Sequence, residues 1–106
     1  MRPAPNSERL STAAVQVALS QLPDWQALER QGVWVIEKTW RFADFHRVMA
    51  FANAVAGVAH AMNHHPDMQL SFQRCTVLYT THDAAGLTLR DIDAAKRLDA
   101  LPEGRE

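Results

Sequence analysis

Apolar and polar positions along this chain alternate between a helical and a strand period, and the switches divide it into seven stretches. Ser11 can cap a helix running to about Leu22, with Val15, Ala18, Leu19 and Leu22 on one face and Pro23 at its exit. Trp25 to Arg30 is a weak strand candidate, and Gln31-Gly32 reads as a turn. Val33 to Phe42 is a better strand, since Trp34, Ile36, Trp40 and Phe42 share one face at period two, with Lys38 interrupting it. Ala43 to Asn63 has no proline and seven alanines, and should be the long helix. Met68, Leu70 and Phe72 alternate with Gln69, Ser71 and Gln73, the clearest strand signal in the chain. Cys75 to Thr81 follows as a strand with Cys75, Val77 and Tyr79 on one face. Gly86 breaks it. Thr88 with Asp91 three residues later is a capping-box start, and Leu89, Ile92, Ala95, Leu98 and Leu101 mark a helical stripe up to Pro102. Residues 1–9 and 102–106 are expected to be loose tails of a single domain spanning 1–106.

The order α-β-β-α-β-β-α predicts an α+β fold: a four-stranded antiparallel sheet with three helices on one face. The long helix carries more apolar surface than one sheet can cover. Phe45, Val48, Met49, Ala52, Val55, Val58, Ala59 and Met62 make one broad face, and Ala50, Phe51, Ala54 and Ala61 extend it. A second subunit is therefore expected against this helix, with Val55 on the contact. Trp25, Trp34 and Trp40 are expected in the core.

Net charge is −1 with no basic block, which argues against a dedicated nucleic-acid binder. Cys75 is the one cysteine, so no disulfide framework forms within the chain, and its apolar setting makes it a buried filler. No apolar run is long enough to span a membrane, and no apolar run follows Arg2 as in a secretory signal, so a cytoplasmic setting is expected.

The chemistry-bearing residues are histidines. His64 and His65 stand before Pro66 at the end of the long helix, and His82 follows a strand in Thr81-His82-Asp83. Histidine exchanges protons near neutral pH, so imidazoles gathered from a helix end and a strand end suggest acid–base catalysis. If the strand holds to its end, His82 points to the open side of the sheet. Asp67 and Asp83 could orient an imidazole. His60 and His64 also have the i, i+4 spacing of zinc ligands, but no Glu, Asp or Cys completes an obvious set. His46 reads as a solvated helix residue, and Asp91 first as a helix-start carboxylate.

His60-Ala-Met-Asn-His64-His65-Pro66, Phe72, Thr81-His82-Asp83, Gly86-Leu87-Thr88 and Asp91 together resemble the pterin-4a-carbinolamine dehydratases over about Leu10 to Leu101. That family often has Glu where His60 stands. The resemblance implies removal of water from a 4a-hydroxytetrahydropterin without metal or redox cofactor, supporting recycling of the product of an aromatic amino acid hydroxylase. It implies His64 and His82 as the proton-transfer pair and His65 as a catalytic-site residue that chiefly holds the pterin. Thr81, Asp83 and Asp91 are expected around the substrate. Which of the pair acts as acid stays open. The resemblance also implies a homodimer by sheet extension or a homotetramer through the long helix. The competing reading is a partner-binding scaffold or dimerisation cofactor that uses the same helix surface.

Overall fold

The computed structural model describes residues 7–105 of the chain; the expected loose segment at residues 1–6 lies outside them. Three helices and four strands follow in the expected order: α1 (Thr12–Leu19), β1 (Gln26–Arg30), β2 (Val33–Arg41), α2 (Phe45–Met62), β3 (Asp67–Ser71), β4 (Arg74–Tyr79) and α3 (Leu89–Asp99). The strands form one antiparallel sheet in the order β1-β2-β4-β3. Gln31 and Gly32 both take positive φ, 52° and 80°, which suits a two-residue hairpin whose twist matches its strands.

Each helix starts on a side-chain cap. Ser11 accepts from the Ala14 N–H, Asp44 from the Arg47 N–H, and Thr88 from the Arg90 N–H with Asp91 completing a capping box. Such caps contribute roughly 1 kcal/mol each. Strand alternation then sorts the sheet. Ile36, Trp40, Cys75, Val77 and Tyr79 point to the helices and join Val48, Phe51, Val55, Ile92 and Leu98 in the core. Lys38, also on that face, reaches Asp99 at 2.8 Å and lies over the Trp40 ring, so its charge is paired rather than buried alone. Val35, Glu37, Thr76 and Leu78 fall on the uncovered face.

Several expectations change. Trp34 is 44% exposed, because it stands at the start of β2, away from the cover that buries Ile36. Phe72 sits not in β3 but in the two-residue turn before β4, 69% exposed. Leu89 opens α3 and is half exposed. Val55 belongs to the core rather than to a contact surface. Residues 102–104, expected as tail, form a short 3-10 turn whose Gly104 packs so tightly that a Cβ would come within 3.1 Å of Phe51 and Trp40.

Candidate active site

The long helix ends in a way that separates two neighbouring histidines. Asn63 takes the left-handed conformation at φ 51°, the commonest way for a non-glycine residue to close a helix. The chain reverses there, and the His64 N–H bonds back to the Ala59 carbonyl at 3.0 Å. The His64 side chain turns inward and is 8% exposed, while His65 is exposed. His64 stacks on the Tyr79 ring with centroids 5.1 Å apart, and the Tyr79 hydroxyl donates to the His64 carbonyl at 3.1 Å. Burial, and then the charge of Asp91, push the Tyr79 phenol up to about 12, so it stays a neutral donor.

Behind His64 lies Asp91, with no exposed surface. Its Oδ1 is 2.6 Å from His64 Nε2, and its Oδ2 accepts from the Thr81 hydroxyl at 2.8 Å and the Thr88 N–H at 2.9 Å. Thr81 and Thr88 hydroxyls are themselves 2.8 Å apart. The directions follow from counting donors. Thr88 Oγ1 accepts from the Arg90 N–H, so Thr88 can give its proton to Thr81, and Thr81 gives its own to the carboxylate. An ionised Asp91 can only accept, so His64 Nε2 bears the hydrogen facing it. Nδ1 is the ring nitrogen that this contact leaves uncommitted.

His82 arrives from another element. β4 ends at Tyr79, and Thr81 pairs with Gly86 in an isolated bridge. A 3-10 turn over His82–Ala84 lies inside that bridge, closed by Ala85 at φ 54°. His82 is therefore on an exposed turn and not at a strand end. His64, His65 and His82 line one pocket of about 250 Å³ together with Asn63, Thr81, Asp83 and Arg90. Arg90 Nη2 donates to the Asn63 carbonyl at 2.8 Å, tying α3 to the end of α2. A larger cavity, about 740 Å³, lies between α1 and the β1–β2 hairpin, but no histidine lines it and its walls are mainly apolar. The smaller pocket is the one where the three histidines meet.

The sequence matches the family model described as pterin 4 alpha carbinolamine dehydratase over residues 8–101. The chain belongs to this family. Curated relatives agree. A putative pterin-4-alpha-carbinolamine dehydratase of Chromobacterium violaceum is 44% identical over 87% of this chain and 82% of its own. One from Paracidovorax citrulli is 43% identical over 87% of this chain and 79% of its own. A solved structure of a transcriptional coactivator/pterin dehydratase from Brucella melitensis has a TM-score of 0.81 at 29% identity, covering 88% of this chain and 97% of that one. A pterin dehydratase-like protein described as a RuBisCO assembly factor in the alpha-carboxysome shares the fold alone, with a TM-score of 0.62 at 17% identity over 73% of this chain and 87% of its own.

Within this family member, the residues expected at the site separate into two groups. His64, His65, His82, Thr81 and Asp83 line the pocket. Asp91 does not line it but lies behind His64, and the Thr81 hydroxyl is spent on Asp91 and Thr88. Asp67 lies outside the pocket, in the groove on the uncovered sheet face. His60 is exposed, and among the described residues no three His, Cys, Asp or Glu side chains are grouped to hold a metal ion. Sequence reasoning missed Asn63, Thr80 and Arg90. Asn63 was findable, being the αL-tolerant residue just before His-His-Pro. Arg90 carries no local signal; only the packing of α3 beside α2 brings it in.

Proposed function

We propose that the protein dehydrates 4a-hydroxytetrahydropterins to quinonoid dihydropterins, and that His64 and His82 move the protons. The N5 proton is removed, a C4a–N5 double bond forms, and the C4a–oxygen bond breaks. The hydroxyl leaves with an added proton as water, and nothing is oxidised or reduced. His64 serves as base: Asp91 commits Nε2–H, so Nδ1 is the nitrogen available to the substrate. His82, exposed on its turn, protonates the leaving hydroxyl and exchanges with solvent. His65 and Asp83 hold the ring. Each proton transfer contributes roughly 10²- to 10⁴-fold. The observation that carries this reading is three imidazoles from two separate elements around one small pocket, one of them locked by a buried carboxylate.

Stopped-flow decay of the 4a-carbinolamine tests it. His64→Ala or His82→Ala should slow turnover about 10²-fold or more, while His65→Ala should mainly raise KM. Equal, slight effects from all three would remove the assignments.

Self-association through α2 is part of the proposal. Phe45 is 52% exposed and Met49 36%, and Ala56 follows on the same flank, a stripe of the kind helices bury against each other. A homodimer or homotetramer would cover it; so would the partner of a scaffold. The intact histidine pocket favours the enzyme, with an aromatic amino acid hydroxylase as the source of its substrate. No helix is long and apolar enough to cross a membrane. The cytoplasm, where the buried Cys75 thiol stays reduced, is the proposed setting.

A further inference from the structure

The cavity of about 740 Å³ between α1 and the β1–β2 hairpin takes no part in the chemistry proposed above. Its volume is nevertheless within the roughly 300–1,000 Å³ of typical small-molecule sites. Val15 and Leu19 of α1, Leu87, and the rings of Trp25 and Trp34 give it apolar walls. Trp34 has the parity of Ile36, which is fully buried, yet it is 44% exposed; its ring faces this cavity. Trp25 is buried, and its Nε1 is already spent on Asp99. It offers the cavity ring carbon alone.

Charge discriminates among apolar occupants. Arg9 lines the cavity, and no Asp or Glu lines it with Arg9. The Arg9 stem lies against Gly86, where a Cβ would come within 2.8 Å of Arg9 Cδ. Among the described residues no carboxylate forms an ion pair with Arg9. The other polar walls, such as Gln16 and Gln26, are neutral. A guanidinium beside tryptophan rings suits a ligand with an acid at one end and a flat apolar body at the other. Ala85 and Gly86 also line this cavity, and they close the turn that carries His82. An occupant therefore touches that turn from the side opposite the histidine pocket.

We propose that this cavity is a second small-molecule site, distinct from the histidine pocket, which takes an aromatic monocarboxylate. The ring packs on Trp34 and the apolar flank of α1. The carboxylate meets Arg9. Charge complementarity carries the choice of an acid over a neutral or cationic ligand, and the two tryptophans carry the choice of a ring over a flexible chain.

Amide and indole NMR of the full chain, titrated with 1-naphthylacetate, tests it, with 1-naphthylacetamide as the uncharged probe of the same shape. The acid should shift the Trp34 indole and the Ala85 and Gly86 amides along one saturating curve. Its Kd should be about threefold to fivefold below that of the amide, the effect of one exposed ion pair. Arg9→Gln should remove this preference and leave the Kd of the amide unchanged. Gln16→Trp fills the cavity from α1 and Ala27→Phe fills it from β1; each should weaken the acid about tenfold or more. No saturable shift up to about 1 mM acid overturns the site, as do equal affinities for acid and amide in the unmodified protein, or undiminished binding in both filled variants. A Trp34 signal that moves with protein concentration and not with the acid assigns the cavity to a second copy of the chain and also overturns it. None of these readouts is turnover, so the dehydratase reading stands or falls separately.

Discussion

Replacing Asp91 by asparagine keeps the shape of the side chain and alters one thing, its capacity to accept on both sides. Three donors converge on the carboxylate: His64 Nε2 on Oδ1, and the Thr81 hydroxyl and Thr88 N–H on Oδ2. The Thr88 N–H is backbone and cannot turn away. The amide oxygen must therefore take the Oδ2 place, which puts the amide NH₂ against His64. A ring nitrogen facing an NH₂ has to offer a lone pair, so the His64 proton moves from Nε2 to Nδ1. The nitrogen proposed as the base then carries a hydrogen. Turnover should fall about 10²- to 10⁴-fold, equivalent to roughly 3–5 kcal/mol on the barrier.

The fold should suffer less. The substituted amide would still serve the α3 cap, and the cost is the charge in the remaining bonds, about 1–3 kcal/mol. Asp91→Ala, by contrast, strands buried donors and should cost roughly 3–5 kcal/mol. Stopped-flow decay and thermal unfolding of the same samples separate the two effects. If Asp91→Asn lowers Tm but leaves turnover within about threefold, less than 1 kcal/mol on the barrier, Asp91 is a helix cap only and the tautomer argument fails.

Burial raises the Cys75 thiol from 9.0 to about 11, so the unfolded chain loses that proton first and stability should fall between those pH values. The loss is about 2–3 kcal/mol, and thermal unfolding of Cys75→Ala should lack it; an identical alkaline profile would refute the assignment. Trp25 Nε1 donates to both Asp99 oxygens at 3.1 and 3.2 Å, so Trp25→Phe should lower the unfolding free energy in urea by about 1–2 kcal/mol without changing m. No change would mean that Lys38 alone satisfies Asp99. Met49→Glu, on the exposed flank of α2, should reduce the mass seen by light scattering while leaving Tm of the monomer intact. An unchanged mass excludes that flank as the contact.

The architecture was legible because each element has its own period and its own punctuation. Ser11, Asp44 and Thr88 stand where helices must begin, and Gln31-Gly32 and Pro66 where elements must stop. Errors arose where period alone is blind. Alternation through Met68, Leu70 and Phe72 continues unbroken into a two-residue turn, and the period alone does not mark where the strand ends. Trp34 shares parity with Ile36, but parity does not say how far along the strand the helices reach. Val55 falls on the apolar face of α2, yet a helix apolar on two sides does not reveal which side meets its own sheet. At the site, the histidines were readable as proton carriers. That His64 would be buried and His65 exposed was not, since it depends on one left-handed residue and on a carboxylate 27 positions away.

That division has a physical logic. Among the described residues, three non-glycine residues have positive φ: Gln31, Asn63 and Ala85. Gln31 belongs to a hairpin turn that requires it. The other two bracket the histidine pocket, Asn63 before His64 and Ala85 at the close of the turn that carries His82. For alanine the left-handed region costs roughly 1–2 kcal/mol, and nothing in the local sequence relieves it. It persists because the Thr81–Gly86 bridge on one side and the cap of α3 on the other fix both ends of the turn. Thr81, which pairs with Gly86 in this bridge, also gives its hydroxyl to the Asp91 carboxylate. The backbone that presents His82 and the hydrogen bonds that orient His64 are therefore one construction. Loosening the turn should disturb both histidines together, whereas changes at His65, which none of these bonds reaches, should act alone.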